Sequence, residues 1–96
     1  IYVAGMDENT RAFAYKCVNE LRKNGISAEC DLMERSLKAQ FKYADKLGAE
    51  YVAVIGQTEL ETGQANLKKM SDGSQQSVKF EDIITYLKKE NNNGTN

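Results

Sequence analysis

Two stretches of this chain combine residue types and spacing that suit a phosphate-bearing ligand. Arg35, Lys38, Lys42 and Lys46 fall in one short run, and the lysines recur every fourth residue. On a helix that spacing gathers their ammonium groups into one stripe. Asp45 is the one carboxylate among them and Glu34 precedes them, so the stripe is not neutralised. Further along, Gln64, Asn66 and Lys68 alternate with Ala65 and Leu67, which on a strand puts the polar set on one face. Amide side chains both donate and accept, and so can read the edges of unstacked bases, the usual basis of sequence-specific recognition in single-stranded RNA. Glu59, between the two stretches, could accept from a base amino or imino group.

Each feature also has a plainer reading. A lysine stripe is the ordinary make-up of a solvated helix face, and polar alternation that of the wet face of a sheet. Spacing alone leaves both open. Glu34 and Glu59 as a catalytic pair have no histidine, nucleophile or metal partner to work with, so no catalytic residue and no metal site is assigned.

The elements that would position these residues can be read from periodicity. Residues 1–4 are apolar and suit a strand, and a turn at 5–7 leads to a helix running to about Asn24, capped by Asp7 or Asn9. Phe13, Ala14, Cys17, Val18 and Leu21 give that helix its apolar face. Residues 26–30 suit a short strand. Leu37, Phe41, Ala44 and Leu47 then mark the buried side of the lysine helix, with Ser36 to cap it and Gly48 to end it. Residues 51–55 are apolar throughout and rich in β-branched types, the pattern of a central strand covered on both faces. Residues 64–70 and 75–80 flank a turn signal at 71–74 and predict a hairpin, followed by a helix over about 81–89. The order is an α/β one: a parallel βαβαβ core with a C-terminal hairpin, hence a mixed five-stranded sheet with three helices. Ligands of such sheets bind beyond the carboxyl ends of the parallel strands, here the loops at 5–7, 32–36 and 56–60.

Composition sets further bounds. Ninety-six residues make one domain, read as 1–90, with a polar tail at 91–96 expected to be disordered. The chain opens directly on a strand with neither initiator methionine nor leader, which suggests a piece of a longer protein. A net charge of −1 argues against a globally basic nucleic-acid binder, so any phosphate affinity rests on local placement. Cys17 and Cys30 lack zinc-site spacing and read as reduced thiols, which suits a cytoplasmic compartment. No segment is long and apolar enough to span a bilayer, and neither a GxGxxG nor a phosphate loop is present.

In RSLKAQFKYAD (35–45), GAEYVAVIG (48–56) and ELETGQANLK (59–68) the chain closely resembles the C-terminal anticodon-binding domains of histidyl-tRNA synthetases, and the resemblance covers nearly its whole length. It implies the class II anticodon-binding fold, with anticodon bases splayed against positions that match Glu34, Lys42, Glu59 and Lys68. Arg35, Lys38, Gln64 and Asn66 join that set from local spacing. The resemblance further implies a homodimeric parent ligase in which a separate catalytic domain uses ATP and Mg to charge the histidine tRNA. This domain would have no cofactor and no ligase activity of its own, and its partners would be the anticodon stem-loop and the catalytic domain, not DNA or a membrane. A non-catalytic interaction or regulatory domain derived from a synthetase is the alternative.

Overall fold

The apolar start of the chain forms a strand covered from both sides. In the computed structural model, which describes residues 1–31 and 34–94, Tyr2, Val3 and Ala4 are fully buried. β1 (Tyr2–Gly5) pairs in parallel with β2 (Glu29–Cys30) on one side and β3 (Tyr51–Ile55) on the other. β3 pairs antiparallel with β4 (Gln64–Lys69), and β4 with β5 (Gln75–Lys79), so the order across the sheet is β2-β1-β3-β4-β5. This is the expected mixed sheet. β3 is its middle strand, although it runs parallel to only one neighbour.

Because β1 lies between β2 and β3, its two crossovers head to opposite sides and leave their helices on opposite faces. α1 (Glu8–Lys23) turns Ala14, Cys17, Val18 and Leu21 onto Val3, Ala53 and Ile55, where Ile83 and Leu87 of α4 (Phe80–Gly94) join them. α2 (Leu37–Leu47) sets Ala44, Leu37 and Phe41 against Tyr2, Ala4 and Val52 on the other face. Cys17 is buried and Cys30 half-buried, both free, and burial pushes the Cys17 thiol up to about 12.

The helix ends follow local chemistry. The Asp7 carboxylate accepts from Thr10 N at 2.8 Å and Thr10 Oγ1 at 2.9 Å, while Asp7 N donates to Thr10 Oγ1 at 3.0 Å. These bonds hold its carboxyl below the usual range. Ser36 accepts from Ala39 N at 3.2 Å, and Gly48 closes α2 in the left-handed region at φ 75°. Gly5 serves a different purpose: a Cβ there would stand 2.8 Å from the Thr10 carbonyl carbon, so only glycine lets β1 pass this close to α1.

Among the described residues four helices are present where three were expected. The stretch at 56–60 is not an open loop, since α3 (Gln57–Thr62) occupies most of it. β2 is shorter than 26–30, because Ile26 N turns back to Leu21 O and only Glu29 and Cys30 join the ladder. α4 continues to Gly94 rather than stopping near Lys89. Part of the tail expected at 91–96 therefore lies in this helix, while 95 and 96, like Leu32 and Met33 of the expected 32–36 loop, lie outside the described residues.

The Tyr2 hydroxyl is buried with no hydrogen-bond partner among the described residues, and burial foremost, aided by the Asp31 charge, pushes its pKa from 10.0 up to about 12. A phenol whose folded pKa is raised contributes stability that is complete below pH 10 and lost as pH rises through about 12. Tyr2→Phe should leave neutral-pH stability unchanged or raise it by about 1 kcal/mol, since an unpaired buried hydroxyl costs roughly 1–3 kcal/mol. It should also flatten the alkaline loss. Urea melts at pH 7 and across that alkaline window test this, and a clear destabilisation at pH 7 would show the hydroxyl to be paired.

Candidate nucleic-acid interface

The start of α2 is fixed by buried polar groups. Gln40 is fully buried, and its Nε2 donates to Gly5 O and to Arg35 O, each at 2.9 Å, tying the end of β1 to the turn before α2. Its Oε1 has no partner among the described residues. The Asp31 carboxylate accepts from Arg35 N at 2.6 Å and lies 3.9 Å from Arg35 Nε. Between them Glu34 takes φ 54°, a left-handed conformation uncommon for a side chain of its kind, and is exposed.

Two aromatic rings of α2 then separate the cations. The Arg35 guanidinium lies 4.5 Å from the centre of the Tyr43 ring, and Tyr43 meets Tyr2 edge-on at 6.1 Å. Lys68 Nζ lies 4.9 Å from the centre of the Phe41 ring. Two residues apart on a helix means about 200° around its axis, so Phe41 and Tyr43 occupy opposite flanks. Arg35 is thereby drawn to the flank away from β4. Lys38, three residues before Phe41, shares the flank facing β4, and Lys42 projects outward; both are exposed.

β4 supplies the facing wall. Ala65 and Leu67 are buried against the α1 side, while Gln64, Asn66 and Lys68 are half-buried on the α2 side. The β4–β5 register sets Lys79, Ser77 and Gln75 opposite Gln64, Asn66 and Lys68, so these β5 residues share that face and are exposed. They were missed at the sequence level, although counting the hairpin register back from the 71–74 turn was the signal that could have found them. Asn66 Nδ2 donates to Gln75 Oε1 at 3.1 Å.

Of the eight expected residues, Gln64, Asn66 and Lys68 share the α2 side of β4 and Lys38 and Lys42 stand exposed on α2, so the candidate trough is the space between that strand and that helix. Arg35 is not among them, and Glu34 stands exposed at the start of α2. Glu59 serves the fold itself, since its Oε1 accepts from Gly56 N at 3.0 Å and so holds the first turn of α3. Tyr51 packs edge-on with Tyr86 and is buried, whereas Tyr43 is partly exposed beneath Arg35. A cavity of about 510 Å³ lies at the other end of the sheet, where Ile1, Ile26 and Gly48 line it. The charged side chains on its wall are Glu29 and Glu50, which disfavour a phosphate there. Among the described residues no helix is long and apolar enough to cross a membrane.

Residues 1–90 match the family described as anticodon binding domain. The chain is 49% identical over 88 residues to the histidine–tRNA ligase of Acetivibrio thermocellus, covering 92% of this chain and 21% of that protein. The apo histidyl-tRNA synthetase of S. aureus superposes with a TM-score of 0.85 at 36% identity, over 91% of this chain and 22% of that one. The RNA-binding domain of threonyl-tRNA synthetase from Cryptosporidium parvum Iowa II, at 21% identity and a TM-score of 0.80 over 88% of this chain and 22% of that one, shares the fold. The chain thus spans about a fifth of the length of the relatives it matches.

The Glu59 bond gives a stability test that does not involve RNA. Glu59→Ala should cost about 1 kcal/mol, the ordinary value of a lost helix cap, whereas Glu59→Gln keeps an acceptor oxygen and should cost only a few tenths. Equilibrium urea unfolding distinguishes the two, and equal losses would remove the capping role.

Proposed function

The chain belongs to the anticodon-binding domain family of the histidyl-tRNA synthetases, and from that membership we propose that its trough between α2 and β4 holds the anticodon loop of the histidine tRNA for a catalytic domain elsewhere in the same ligase. The observation that carries this reading is the pairing of an exposed lysine flank with a strand of amide side chains across a shallow open face. Lysines attract phosphate without regard to sequence; amides specify bases. Electrostatic attraction brings the stem-loop in through Lys38, Lys42 and Lys68, and Gln64 and Asn66 then meet the splayed bases. Glu34, exposed before α2, and Glu59, in the first turn of α3, complete the base-reading set, and Arg35 acts from the far flank by holding the turn before α2.

In this reading the parent is a cytoplasmic, homodimeric histidine–tRNA ligase, and ATP and Mg serve its catalytic part. This chain has no phosphate loop to receive the nucleotide, and its role is to position RNA. No observation favours reuse as a protein-interaction domain.

In the full-length ligase, Lys42→Ala and Lys68→Ala should each weaken binding of the histidine tRNA and reduce the salt slope by about 1, because each phosphate contact releases condensed counterion. Lys42 is the cleaner probe, since Lys68 also packs on Phe41. Unchanged affinity and slope in both variants would move the RNA off this surface.

Glu59→Gln, which preserves the α3 cap, should alter discrimination among tRNAs with substituted anticodons. Aminoacylation kcat/KM across such a set decides it, and a uniform loss would deny Glu59 a base-reading part.

A further inference from the structure

The second strand of the hairpin carries an arrangement that the reading above does not use. Gln75, Ser77 and Lys79 lie exposed on the same face as Gln64, Asn66 and Lys68. The opposite face of the hairpin is the covered one, with Ala65 and Leu67 in the core beside Ile83 and Leu87, and Val78 packed against them. Over the polar face α2 reaches β4 through Phe41 and Lys68. The charged side chains of the six are Lys68 and Lys79, at diagonal corners roughly 13 Å apart along the strands, so the face is cationic without a carboxylate.

At its centre the Asn66 to Gln75 bond is a diagonal cross-strand contact and fixes how both amides point. It uses one N–H of Asn66 and the carbonyl oxygen of Gln75. That bond leaves the Asn66 oxygen as an acceptor and the Gln75 amino group as a donor, the two functions that pair with one edge of a base.

We propose that β5 is the second half of the base-reading surface. Asn66 and Gln75 act as one preset amide pair that takes a single unstacked RNA base by its edge, while Lys79 and Lys68 hold the phosphates on either side. The proposal rests on the anticodon-domain reading and extends it to a strand that reading leaves idle. A preset pair spares the ordering of two free side chains at binding, so its contribution to discrimination exceeds that of two independent amides.

The test uses the full-length ligase with Gln75→Ala, Asn66→Ala, the double variant, Lys79→Ala and the Lys42→Ala reference. Affinity and aminoacylation kcat/KM are measured for the histidine tRNA and for transcripts with each anticodon base substituted. Gln75→Ala and Asn66→Ala should each reduce discrimination at one and the same anticodon position by about tenfold, with the double variant losing little more than either single one. Lys79→Ala should weaken all transcripts alike and lower the salt slope. Gln75 and Lys79 are exposed, so their melting temperatures should match the parent's and exclude misfolding. If Lys42→Ala weakens binding while the β5 variants bind and discriminate as the parent does, the inference fails and the anticodon reading stands. If no variant changes binding, both fall. Additive losses at two different positions would overturn the paired arrangement.

Discussion

Five strands spaced about 4.8 Å apart make a sheet roughly 19 Å wide from first axis to last, whereas one α-helix with its side chains is about 10 Å across. On the face where α1 and α4 pack, two long helices share that width and the core is continuous from Val3 to Leu67. On the other face α2 is the one helix among the described residues. It sits over the pair that most needs cover, β1 and β3, where Tyr2, Ala4 and Val52 are fully buried, and cannot also cover the hairpin. The strands beyond its reach are therefore polar on that side. The candidate site follows from this shortage of cover: α2 on one side and, beside it, the half-buried polar face of β4 and the exposed one of β5.

Placing α2 accurately then becomes a matter of buried polar bonds rather than of apolar area alone. The Gln40 amide reaches two carbonyls, at the end of β1 and in the turn before α2, and the Asp31 carboxylate, just past β2, holds the Arg35 backbone. Neither contact touches the trough. Both set the angle at which Lys38 and Phe41 face β4, and they explain why Arg35, although it belongs to the basic run, is spent on Tyr43 and Asp31.

What could be read beforehand divides along the same line. The Lys38 helix was legible because its apolar period, the Ser36 cap and the Gly48 stop all agree over a full element, and the buried strand at Tyr51–Ile55 because every position is apolar. α3 was not, since six residues hold under two turns and show no period, even with Glu59 three places after Gly56 as a capping cue. The side taken by Gln64, Asn66 and Lys68 followed from strand alternation. The allegiance of Arg35 did not, because it is decided by Tyr43 and Asp31, two partners that no local pattern links to it. Site residues set by one element's period were readable; those set by contacts between elements were not.

The position of β1 has a consequence for how the domain comes into being. Tyr2 pairs with Glu29 and with Val52, so β1 is bounded on one side by a partner 50 residues further along. The hairpin partners of β4 and β5 are by contrast near neighbours in sequence. Closing the long loop between β1 and β3 is the costly entropic step, while the hairpin closes cheaply. During synthesis β1 and α1 leave the ribosome before β3, and the β4–β5 hairpin follows it.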